Sequence, residues 1–144
     1  MILYQTGIML DYNPATDILT ALWPSNNPYT LPEIQSTLEI LVKSIRNYDV
    51  KKLLLNSSQL AIHPAIDAAE YQTTLNLFCN SLTQTRLKRL AQIISMDQEN
   101  EILNLELGQE TKDNVKITFQ TQYFIFPDEA INWLTAPLPI LQTI

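Results

Sequence analysis

Three consecutive leucines, Leu53-Leu54-Leu55, follow Lys51-Lys52 and stop at Asn56-Ser57-Ser58. A short, continuous apolar run with polar residues at its end reads as a strand buried on both faces. Such a strand has to lie inside a sheet, and helical patterns flank it on either side in the sequence. The run therefore points to the central strand of an α/β sheet, with its carboxyl end at Asn56–Ser58. Ligands and partners of open α/β sheets approach that end of the strands. Asn56, Ser57 and Ser58 are accordingly the first candidate functional face.

The flanking segments alternate in type. Ile2 to Leu10 and Asp17 to Trp23 read as β-prone segments. Between them Asp11 to Thr16 holds Asp, Asn and Pro, each able to turn the chain, so an antiparallel hairpin is expected. A helix starts near Thr30, with Pro32 and Glu33 in its first turn. Leu31, Ile34, Leu38, Leu41 and Ile45 give it one apolar face, and Lys43 and Arg46 complement the dipole of its last turns. After Ser58, the apolar connection Gln59 to Asp67 is expected to fold partly over the sheet edge. A second helix follows from Asp67 to about Gln84, with Tyr71, Leu75, Phe78 and Leu82 as its stripe.

Leu90 to Ser95 reads as another buried strand, and Ser95-Met96-Asp97-Gln98 as the cap of a helix running to about Leu107 and stopped by Gly108. Val115 to Phe126 is β-rich, with Val115, Ile117 and Phe119 on one face. Pro127-Asp128-Glu129 opens a last short helix carrying Ala130, Ile131, Trp133 and Leu134. The order is β-β-α-β-α-β-α-β-α in one domain, 1–144, with an apolar tail at 135–144. It specifies an α/β fold, a mixed sheet with helices packed against it.

Composition removes several chemistries. Gly7 and Gly108 are the only glycines, so no glycine-rich phosphate loop can be written on this chain. The net charge of −6 speaks against nucleic-acid binding, which needs clustered cations. The densest basic run, Arg86-Leu87-Lys88-Arg89, reads as a solvated helix end. One cysteine, Cys79, permits neither an intrachain disulfide nor a multi-thiolate metal site, and reads as a small buried hydrophobe. Asp97, Glu99, Glu101, Glu106 and Glu110 read as the wet face of a helix rather than ligands. No window reaches the about 18 apolar residues of a membrane span, and no signal-peptide pattern opens the chain, so a cytoplasmic protein without cofactor or metal is expected.

Three pieces of the chain carry a family likeness: the hairpin ending near Leu22-Trp23 before a helix, the Leu53–Leu55 strand ending in Asn56-Ser57-Ser58, and the closing segment Phe126 to Leu134. Leu87-Lys88-Arg89-Leu90-Ala91 adds a basic entry into the next strand. Together they resemble the STAS/SpoIIAA-like family. The resemblance implies a non-enzymatic regulatory or protein-interaction domain, of the kind that includes anti-sigma-factor antagonists. In those, a serine after a strand begins a helix and is phosphorylated by a partner kinase; Ser57 and Ser58 are the matching positions. Here Asn56 stands where such antagonists have Asp, and the next helix waits until about Asp67.

Three functions follow. The first is that interaction domain, meeting an unknown protein partner around Asn56–His63. The second is a carrier for a small apolar ligand or lipid, which predicts a cavity of about 300 Å³ or more under Gln59–Ile66. The third is a serine hydrolase pairing Ser57 or Ser58 with His63, the only histidine, although no nucleophile-elbow pattern surrounds either serine. The apolar tail adds an expectation of self-association as a homodimer, or of docking on the chain's own core.

Overall fold

A computed structural model describes residues 2–4, 8–23, 29–58, 65–94 and 118–137. Among these residues six strands form one mixed sheet in sequence order: β1 Ile2–Tyr4, β2 Met9–Asn13, β3 Ile18–Leu22, β4 Lys52–Asn56, β5 Arg89–Ile93 and β6 Gln120–Phe124. The first three are antiparallel neighbours, and β3 to β6 run parallel. Helix α1 (Leu31–Asn47) joins β3 to β4, α2 (Ala68–Thr83) joins β4 to β5, and α3 (Pro127–Thr135) follows β6. The helix expected over 97–107, together with Val115, Ile117 and the tail from 138 onward, lies outside the described residues.

The leucine run does what its pattern implies. Leu53 and Leu55 point to the side covered by α1 and α2, and Leu54 to the opposite side, under α3. All three are buried on a strand flanked by β3 and β5. The larger face packs Leu10, Leu19 and Leu90 of the sheet against Ile34, Leu41 and Ile45 of α1 and Phe78 and Leu82 of α2. Full burial of one such side chain stabilises by about 1.5–3 kcal/mol, so this layer is the main source of stability. The smaller face sets Ile18, Ala91 and Ile93 against Ala130 and Leu134.

Helix ends follow the sequence closely. The Glu33 carboxylate accepts from Thr30 N and Thr30 Oγ1, both at 2.9 Å, which holds its carboxyl below the usual range. Asp67 caps α2 by accepting from Glu70 N at 3.3 Å.

The expectations for the opening of the chain and for the basic run are corrected. The opening segment is two strands: Ile2–Tyr4 runs antiparallel to Met9–Asn13, so the chain reverses between Tyr4 and Met9. The hairpin loop is also shorter than read, because Asp11, Tyr12 and Asn13 stay in the ladder opposite Thr20, Leu19 and Ile18. Side chains make the turn: Asn13 Oδ1 accepts from Ala15 N at 3.0 Å, and Tyr12 Oη donates to Asp17 Oδ1 at 2.7 Å. Asp17 takes a positive φ of 57°, a region Asp enters more readily than most residues.

The second correction concerns the basic run. Arg86 and Lys88 are exposed, but Arg89 is only 4% exposed. Strand parity places it with Ala91 and Ile93 on the face beneath α3. Its guanidinium donates to Gln120 Oε1 (3.0 Å), Trp133 O (2.6 Å), Ala136 O (2.7 Å) and Pro137 O (3.4 Å), and lies 5.2 Å from the Trp133 ring centroid. It therefore closes the carboxyl end of α3 from inside the fold, with charge where the dipole favours a cation.

Candidate functional site

The carboxyl end of β4 forms a compact turn built almost wholly from the candidate residues. Asn56 ends the strand, and its carbonyl accepts from Trp23 N at 3.2 Å, tying β4 to the end of β3. Its side-chain Oδ1 accepts from Ser58 N at 3.1 Å and from Ser58 Oγ at 2.6 Å. This is an Asx-type turn, in which a short amide side chain stands in for a backbone acceptor. It gives Asn56 a structural role at a position where the sequence offered a candidate surface residue and a departure from a family pattern.

Ser57 points the other way, into the sheet. Its N–H and Oγ–H both donate to Ile93 O, at 3.0 and 3.1 Å, and its Oγ accepts from Gln92 Nε2 at 3.0 Å. The residue is 5% exposed. Ser57 thus continues the bond to β5 one residue beyond the strand. Ser58, half-buried, is the hydroxyl that reaches the surface.

The structure brings Asn56, Ser57 and Ser58 together; His63 lies outside the described residues. Neither serine is arranged as a nucleophile by the groups described around it. Both hydroxyls donate to neutral carbonyl oxygens, Ile93 O and Asn56 Oδ1, which are not bases able to take a proton at neutral pH. Among the described residues, the next helix, α2, starts at Ala68 behind its own cap, Asp67.

Other reactive groups are held in their neutral forms. Burial pushes the Cys79 thiol up to about 11 and the Tyr71 phenol up to about 12, and also raises Tyr123. A thiol so displaced is a packing group rather than an activated nucleophile. Among the described residues, no three His, Cys, Asp or Glu side chains gather as metal ligands, and no helix is long and apolar enough to cross a membrane.

Residues 59–64 of the connection Gln59–Ile66, under which a ligand cavity was expected, also lie outside the described residues. A recess of about 610 Å³ opens elsewhere, between α1 and α2. Leu38, Val42 and Phe78 form its floor, and Lys43, Arg46 and Leu77 stand at its rim. Sequence reading assigned Lys43 and Arg46 to the helix dipole alone. Their three-residue spacing, which puts them on one flank of α1, was the available signal.

No family model, curated protein or solved structure matches the chain.

Proposed function

We propose that this chain is a non-enzymatic regulatory domain of STAS/SpoIIAA-like organisation, which binds a protein partner at the carboxyl end of β4 and is switched at Ser58. The observation that carries the reading is the division of labour between the two serines. Ser57 is buried and committed to β5, whereas Ser58 is half-buried and closes a turn through one hydroxyl bond. A phosphoryl group on Ser58 would remove that donor and add about 1.5–2 negative charges. The turn would keep its Ser58 N–H bond to Asn56 Oδ1 but lose the shorter hydroxyl bond, and the surface would gain negative charge at the same point. Asn56 and Ser57 hold the platform from which Ser58 is presented.

The test uses the full chain purified under native conditions from its own host, as wild type, Ser58→Ala and Ser58→Glu. A partner held by the wild type and the Ala variant, but lost about tenfold or more by the Glu variant, supports the switch. Equal retention by all three overturns it. Ester or amide hydrolysis that disappears in Ser57→Ala would replace the reading with the hydrolase.

A further inference from the structure

We propose that the recess between α1 and α2 is a binding site for a free, single-chain anionic amphiphile such as a long-chain carboxylate. This goes beyond the partner surface at β4 and uses a different part of the molecule. The recess is graded along its length. At one end Gln35 Nε2 donates to Thr74 Oγ1 at 3.3 Å, bridging the two helices. In the middle, Leu38, Val42 and Phe78 make an apolar floor, and Leu77, 62% exposed, forms an apolar wall. At the other end stand Lys43 and Arg46, with Ser81 across from them on α2.

Neither cation has an ion-pair or hydrogen-bond partner among the described residues, and both are exposed. Glu39 also lines the recess, one turn before Lys43 and nearly two before Arg46, so the sign of charge reverses along α1. The carboxyl ends of both helices lie toward the cationic end and contribute roughly half a negative charge each. At that end two full cations outweigh the two half-charges, and Glu39, a turn farther back, offsets the remainder over the recess as a whole, so the positive charge is confined to the Lys43–Arg46 end. An apolar trough of this size, ending in free cations, matches a molecule with an apolar chain and an anionic head. The volume falls within the usual range of small-ligand sites, about 300–1,000 Å³. A purely apolar ligand would leave the cations unused, and a polar anion would leave Leu77 in water.

The test is calorimetric titration of the full chain with dodecanoate, and separately with dodecyltrimethylammonium, which has the same chain length and the opposite head. Both are used below their aggregation concentrations. Saturable one-to-one binding of dodecanoate is expected, with the cationic probe about tenfold or more weaker. The double variant Lys43→Ala/Arg46→Ala should erase that preference, and Leu77→Asp should weaken dodecanoate by about tenfold. All three positions are exposed, so circular dichroism should show the fold intact in each variant. Ser58→Glu should leave the dodecanoate affinity unchanged, which separates failure here from failure of the β4 surface. Absence of saturable binding, equal affinity for the two heads, a preference that survives the double variant, or binding only to anionic vesicles would each overturn the assignment.

Discussion

The two faces of the sheet are stabilised by different means. Under α1 and α2 the contact is broad and aliphatic, with Leu10, Leu19, Leu41, Ile45, Leu53 and Leu82 wholly removed from solvent. Under α3 the apolar cluster is small, and the same helix is fastened at its end by one buried guanidinium. A broad apolar layer is non-directional and tolerates local loss. A small layer closed by one cation depends on geometry, because removing the donor leaves several carbonyls without it at once. The two sides of one strand run, Leu53 and Leu54, thus serve two designs.

The largest effect expected is on the broad face. Leu53→Ala should cost about 3–5 kcal/mol and Leu54→Ala about 2–3 kcal/mol, measured by urea unfolding at equilibrium. Equal costs would mean the two layers contribute alike. On the smaller face Arg89→Met keeps the aliphatic volume and removes the donors. It should cost about 2–4 kcal/mol, because the Ala136 carbonyl loses the guanidinium and Trp133 O keeps only the longer bond from Ala136 N at 3.3 Å. Arg89→Lys should recover only part of this, since an ammonium cannot reproduce the planar fork. Full recovery would show that charge alone, not the fork, secures α3.

At the end of β4, Ser57→Ala should cost about 1–2 kcal/mol and Ser58→Ala less than about 1 kcal/mol. The first leaves Gln92 Nε2 without its acceptor in the sheet, whereas the second frees a group close to water. A reversed order would contradict the roles given to the two serines.

Alkaline pH separates the faces in another way. Tyr71 and Cys79 lie on the broad face with their pKa values raised by burial to about 12 and about 11, against ordinary values of 10.0 and 9.0. Their folded values exceed their unfolded ones, so this stabilisation is complete below about pH 9. It is lost as pH rises through about 11 and 12. Unfolding midpoints should therefore fall across that window, and Tyr71→Phe should flatten the fall. The smallest effect belongs to the exposed Lys51–Asp17 pair at 3.1 Å, where Lys51→Ala should change stability by less than about 1 kcal/mol and respond to salt.

Much of the fold could be read from the chain because its signals were local. The leucine triplet specified a doubly buried strand by length and polarity alone, and the stripes of α1 and α2 gave their buried faces, with Thr30 and Asp67 marking where they begin. The burial of Arg89 depended on parity within β5 and on a helix end far along the chain, so the charge run alone suggested a solvated surface. The hairpin was misjudged because Tyr12 and Asn13 resemble turn residues while their backbones remain in the ladder. For the candidate site, composition could propose Asn56, Ser57 and Ser58 but not separate the serines. Which hydroxyl turns inward is decided by pleat direction and by Gln92 on a neighbouring strand.

Arg89 also bears on the order in which the chain can be completed. Its acceptors Trp133 and Ala136 lie 44 and 47 residues later, so they leave the ribosome well after β5. Until they arrive the guanidinium has only water and Gln120 to satisfy it, and burying it early would strand a full charge in an apolar layer. Docking of α3 is therefore a late event in biosynthesis, and a chain interrupted before Trp133 carries a hydrated arginine where the finished protein has a closed seam. The smaller face can become dry only when the chain has been made at least as far as Ala136.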